Sequence, residues 1–159
     1  YGLDAALDAM VDSRNEEGAK LSLILNRQLN EMASLCDQAE ELAAIQPSVL
    51  KSRLHKQVSE LLEASVPLPE EQLAKEVALL VAKADVREEL DRLAAHVGSA
   101  QKLLGSGEAI GRRLDFLCQE FNREVNTLCS KSTDLELTRT GLDLKALIDQ
   151  FREQVQNIE

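Results

Sequence analysis

Glu120 and Glu124 stand four residues apart in the stretch LDFLCQEFNREVNTLCSK (114–131). Like charges at that helical spacing repel unless something positive lies between them. At about 100° per residue, Leu114, Leu117, Cys118, Phe121, Val125, Leu128 and Cys129 form one apolar stripe. Asp115, Gln119, Asn122 and Asn126 line one flank of it; Glu120, Glu124, Thr127 and Lys131 line the other. Asn is a poor helix former, so two in mid-helix each cost a few tenths of a kcal/mol, roughly, unless a contact offsets them. The glutamates have two readings. Either Arg123 pairs with Glu120 on a solvated face, or the two carboxylates hold a divalent cation or supply an acid–base group. Charged helix faces are usually solvated, so periodicity by itself leaves the first reading ahead.

A second constellation lies in DVREELDRLAAH (85–96), where steps of four, three and four stack Asp85, Glu89, Arg92 and His96 beside an apolar stripe of Val86, Leu90, Leu93 and Val97. A carboxylate, a guanidinium and an imidazole in register suit phosphate binding or proton transfer near neutral pH. The plain alternative makes Asp85 a cap, Glu89–Arg92 a surface pair and His96 an exposed end. Arg112 and Arg113 sit near a helix N-terminus, an unfavourable place for cations unless an anion joins them. Phe116 falls outside the apolar stripe of its helix and faces another subunit or an unstacked base. His55, beside Arg53 and Lys56, reads as surface. HExxH, ExxH, paired CxxC, P-loop and nucleophile-elbow patterns are absent from the sequence, which argues against zinc-protease, di-iron, NTPase and hydrolase readings.

Helices must position these groups. The chain has 159 residues, one domain's length, with 44% hydrophobic but only 3% aromatic residues and no Trp. Abundant Leu, Ala, Glu and Gln with few β-branched residues predicts an all-α protein. Apolar residues recur at helical steps over 3–13, then from Glu16 to Leu62, where Pro47 predicts a kink or short break near 45–48. ASVPLPEE (64–71) reads as a loop leading into a helix at Pro69, with further helices over 69–84, 86–104, 110–131 and from STDLE to the end, and GSGEA (105–109) as a turn. Asp85 with Glu88, and Thr133 with Glu136, have capping-box spacing. The expected architecture is an elongated bundle of five to six helices in a single domain, 1–159. A long N-terminal helical arm (1–63) packs antiparallel on the motif-bearing helices (69–159).

The formal net charge is −10, so a global cationic field for nucleic acid or anionic membrane is lacking. Residues 111–131 are the exception, with four Lys or Arg against three acids. Cys36, Cys118 and Cys129, an odd number without metal-site spacing, read as core thiols of a reducing compartment. No apolar run suits a membrane span, and no signal-peptide pattern is present. The chain opens without Met on the helix-like YGLDAALDAM, which reads as a fragment lacking its N-terminal part.

The blocks EVALLVAKADVREELDRLAAH, GRRLDFLCQEFNREVNTLCSKS and REQVQNIE, with RNEEGAKL (14–21), resemble the C-terminal half of the YicC/YloC family of bacterial endoribonucleases. The resemblance runs from about residue 14 to residue 159 and departs only modestly, at "SR" before the EG segment and at Cys118 and Cys129. It implies a cytoplasmic protein, metal-dependent cleavage of RNA, a homo-oligomer of hexameric size and a separate N-terminal domain. On that resemblance Glu120 and Glu124, with Asp115 or Glu89, are expected to bind Mn²⁺ or Mg²⁺. His96 is expected as general acid or base beside them. Arg92, Arg112, Arg123 and Lys131 are expected to hold phosphates, and Gln119, Asn122 and Asn126 to contact ribose hydroxyls or base edges. The rival expectation is a helical oligomerisation or RNA-clamping scaffold whose motif residues are interhelical ties and whose active site lies largely in the missing N-terminal half.

Overall fold

A computed structural model describes residues 2–62, 70–106 and 110–158. Five helices account for nearly all of them: α1 (Gly2–Leu62), α2 (Glu70–Lys83), α3 (Arg87–Leu104), α4 (Gly111–Lys131) and α5 (Leu135–Val155). No strand occurs among the described residues. The expected loop at 64–69 and the centre of the expected turn at 107–109 lie outside them.

α1 buries Leu25, Leu29, Met32, Cys36, Ala39 and Ala43, alternating steps of four and three that keep one seam turned to its partners along the helix. The other walls of the core are Leu90, Leu93 and Val97 of α3, Leu114, Phe121, Val125 and Leu128 of α4, and Leu137, Leu144, Ile148 and Phe151 of α5. Each fully buried Leu, Ile or Phe contributes about 1.5–3 kcal/mol over an exposed one. α1, α3, α4 and α5 pack in a ring, each against its two neighbours, while α2 packs on α1. Gln101 of α3 donates to Asn30 of α1, whereas Leu104 lies with Leu21 and Leu25, so these two helices run in opposite directions. Lys131–Glu89 at one end and His96–Phe121 in the middle set α4 antiparallel to α3. Asp115–Arg152 and Asn126–Lys145 do the same for α4 and α5. The result is an up-down-up-down four-helix bundle with α2 as a satellite.

Three details differ from the sequence expectation. α1 passes through Pro47 without the short break that was one of the two expected outcomes, because proline removes one backbone hydrogen bond and good helix formers on both sides carry the helix on. This continuity, with α2 outside the ring, leaves four helices in the bundle instead of five or six. The N-cap of α3 is Val86, buried in the core and without a side-chain bond. Asp85 instead accepts from the Arg87 amide at 3.0 Å and pairs with its guanidinium, which holds the Asp85 carboxyl down at about 2. At α5 the cap is Asp134, whose carboxylate accepts from the Leu137 amide at 2.9 Å; the expected cap was one residue earlier, at Thr133. The thiols meet the core expectation: burial pushes Cys36 up to about 11 and Cys118 to about 12. None of the described helices is long and apolar enough to cross a membrane.

Candidate catalytic and metal-binding groove

Steps of four and three carry Arg112, Phe116, Glu120, Glu124, Thr127 and Lys131 along one edge of α4. Because α3 runs the opposite way beside it, Glu89, Arg92, His96 and Ser99 meet that edge in reverse order. At one end Lys131 Nζ donates to Glu89 Oε1 at 2.8 Å, and Glu89 is only 4% exposed. The other Glu89 oxygen, Oε2, is buried without a hydrogen-bond partner. Next along the groove, Arg92 Nη1 lies 3.6 Å from Oε1 of Glu124, while its Nη2 holds Glu88.

The centre of the groove gathers His96, Glu120 and Glu124. One ligand atom from each lies within 4.8 Å of the other two. Glu124 is 3% exposed, and a carboxylate that deep requires positive charge nearby. Its Arg92 contact is longer than a hydrogen bond and is shared with Glu88. Among the described residues Glu120 makes no hydrogen bond or ion pair, and no pair joins it to Arg123. The solvated Glu120–Arg123 pair is therefore not what the helix builds. The His96 ring stands edge-on to Phe121 (centroids 6.2 Å, planes at 87°), and Phe121 stands edge-on to Phe151 (6.3 Å, 85°). This aromatic stack runs through the bundle and sets the imidazole at the groove. Two carboxylate oxygens and one imidazole nitrogen make a donor set that fits a divalent cation, Mn²⁺ better than Mg²⁺ because of the nitrogen.

Beyond His96 the groove opens into a hollow of about 550 Å³, lined by Ser99 and Lys102 of α3 and by Arg112, Arg113 and Phe116 of α4. Phe116 is 58% exposed there.

The opposite flank of α4 faces α5 and is occupied with holding it. Asp115 accepts from Gln119 at 3.0 Å and lies 3.8 Å from Arg152 Nε. Asn126 Oδ1 accepts from Lys145 at 2.9 Å, and Asn122 donates to the Cys118 carbonyl of its own helix at 3.2 Å. Asp115 and Glu89 thus stand outside the group formed by His96, Glu120 and Glu124, and Asp85 leaves its column for Arg87. Of the expected phosphate holders, Lys131 and Arg92 are engaged by carboxylates, Arg112 lines the hollow, and Arg123 is exposed. Lys102 and Arg113 were not among the expected RNA contacts. Lys102 lies six residues past His96 and Arg113 seven before Glu120, each nearly two helical turns beyond the residues that spacing singled out.

The endoribonuclease YicC-like C-terminal family matches residues 39–159. A protein of Haemophilus influenzae named "Probable endoribonuclease YicC" is 38% identical over 98% of this chain and 53% of its own length. One of the same name from Clostridioides difficile is 35% identical over 99% of this chain and 54% of its own length. The chain spans about half the length of these curated relatives.

Proposed function

The chain belongs to the endoribonuclease YicC-like family, and from that premise we propose that it carries the RNA-cleaving site of a metal-dependent endoribonuclease, centred on His96, Glu120 and Glu124. The observation that carries this reading is the convergence of those three ligand atoms within 4.8 Å, beside a basic hollow.

The charges argue for the cation. Two carboxylates facing a phosphodiester would repel it, so this pair meets RNA productively only with a positive ion between them. Glu120 and Glu124 would hold Mn²⁺ or Mg²⁺, which when bound polarises the scissile phosphate and lowers the pKa of bound water. His96, fixed by Phe121, takes or gives the proton of the attacking or leaving oxygen. Arg92 lies beside Glu124, and Lys102 and Arg112 offer cations to flanking phosphates. The net charge of −10 predicts weak RNA binding by this half alone, with a steep salt dependence.

The scaffold reading has its own observation, the interhelical ties Glu89–Lys131, Asp115–Arg152 and Asn126–Lys145. On this reading those residues hold α4 between α3 and α5, and the active site lies largely in the N-terminal half of the intact protein.

The test is cleavage of RNA by the intact protein carrying Glu124→Gln or, separately, His96→Ala, with assembly checked by light scattering. The expected losses are at least 100-fold for Glu124→Gln and about 10²–10⁴-fold for His96→Ala. Undiminished cleavage by both correctly assembled variants rejects the site.

A further inference from the structure

We infer that Phe116 is a stacking platform for one unpaired base, and that the basic hollow around it binds the nucleotide next to the cleaved phosphate. The inference rests on the endoribonuclease reading of the neighbouring site. Of the three phenylalanines, Phe121 and Phe151 are fully buried in the core, whereas Phe116 is 58% exposed. Core packing therefore does not explain it. It lies in a hollow whose other walls carry Lys102, Arg112 and Arg113.

An apolar ring framed by cations matches a ligand that is flat and apolar on one side and anionic on the other. A nucleotide is that ligand: its base stacks on the ring while its phosphate meets the cations. Position agrees with chemistry. Phe116 precedes Glu120 by four residues and Ser99 follows His96 by three, so the hollow begins one helical turn, about 5–6 Å, from the candidate catalytic group. That is comparable to one nucleotide step of an extended strand. A base held in a stack within a duplex cannot reach the ring, so the platform selects RNA that is unpaired at this position.

The experiment measures binding, which separates it from the cleavage test. Fluorescence anisotropy with a short unpaired oligoribonucleotide, without divalent ion and at fixed salt, gives Kd for the intact protein and for Phe116→Leu and Phe116→Trp. Base–aromatic stacking predicts about 5- to 150-fold weaker binding by Phe116→Leu and recovery by Phe116→Trp. A series of oligonucleotides with one abasic position moved along the strand should show a single sensitive position in the wild type, absent in Phe116→Leu. Equal affinity of Phe116→Leu and wild type, or an abasic profile that Phe116→Leu leaves unchanged, overturns the inference. So does a loss of binding by Phe116→Leu that tracks a change in assembly mass, since Phe116 then packs against protein. If Phe116→Leu fails to weaken binding while Glu124→Gln abolishes cleavage, only the platform is lost. If the reverse holds, the platform stands as an RNA-binding subsite and the catalytic reading falls.

Discussion

Glu120 and Glu124 show how far residue spacing carries a chemical reading. Their i, i+4 separation put both carboxylates on one flank of α4, and the Glu89–Arg92–His96 steps put their counterparts on one edge of α3. What spacing does not contain is which neighbour each flank meets, because a helical wheel has no second helix in it. The two flanks of α4 therefore looked equivalent, and residues from both entered one expected site. Three-dimensional packing parts them: Glu120 and Glu124 meet His96, while Asp115 and Asn126 meet Arg152 and Lys145. The same separation turns Lys131 from an expected phosphate holder into the counter-charge of buried Glu89. Replacing Lys131 by Met should leave that carboxylate without its cation and destabilise the fold by about 1–3 kcal/mol, discounted because the lysine is partly exposed. Adding Glu89→Gln should recover most of the loss. Urea denaturation midpoints of the three proteins check it, and a Lys131→Met midpoint equal to wild type refutes the tie.

At the scale of elements, hydrophobic periodicity located α3 and α4 to within about a residue, because each buries one continuous stripe, whereas α5 stops at Val155, short of the expected run to the chain end. Helix ends were less legible. The expected caps missed the residue that holds the start of α3 and of α5, since burial of Val86 and the reach of the Asp134 carboxylate decide the position, not motif spacing. Pro47 reads in a sequence as an interruption, yet α1 absorbs it at the loss of one backbone bond. A close approach between α4 and α5 was invisible to patterning altogether. A Cβ on Gly141 would lie 2.6 Å from Cys129 Sγ and 3.0 Å from Leu128 Cδ2. Gly141→Ala should therefore destabilise by about 1–3 kcal/mol despite the better helix propensity of Ala. At this chain length that lowers Tm by about 2–4 °C per kcal/mol. Cys129→Ala in the same background should return part of it. Calorimetry that finds Gly141→Ala as stable as wild type contradicts the packing of these two helices.

For the whole molecule, the bundle's order makes the site. Antiparallel α3 and α4 place an ion-paired end, an acid–imidazole centre and a basic, aromatic end along one groove, and α5 braces α4 from behind. Residues 2–20 of α1 are exposed, with Leu3, Leu7, Met10 and Val11 among them. In a chain of net charge −10, Lys102, Arg112 and Arg113 gather cations at one end of the groove. The most direct test of the account is the Mn²⁺ dependence of RNA cleavage by the intact protein, wild type against Glu120→Gln, with the Mn²⁺ bound per chain measured by calorimetry on the same samples. If Glu120 and Glu124 hold the ion, Glu120→Gln raises the Mn²⁺ concentration for half-maximal cleavage at least tenfold and removes one bound ion per chain. The same half-maximal concentration and the same stoichiometry in both proteins would contradict it.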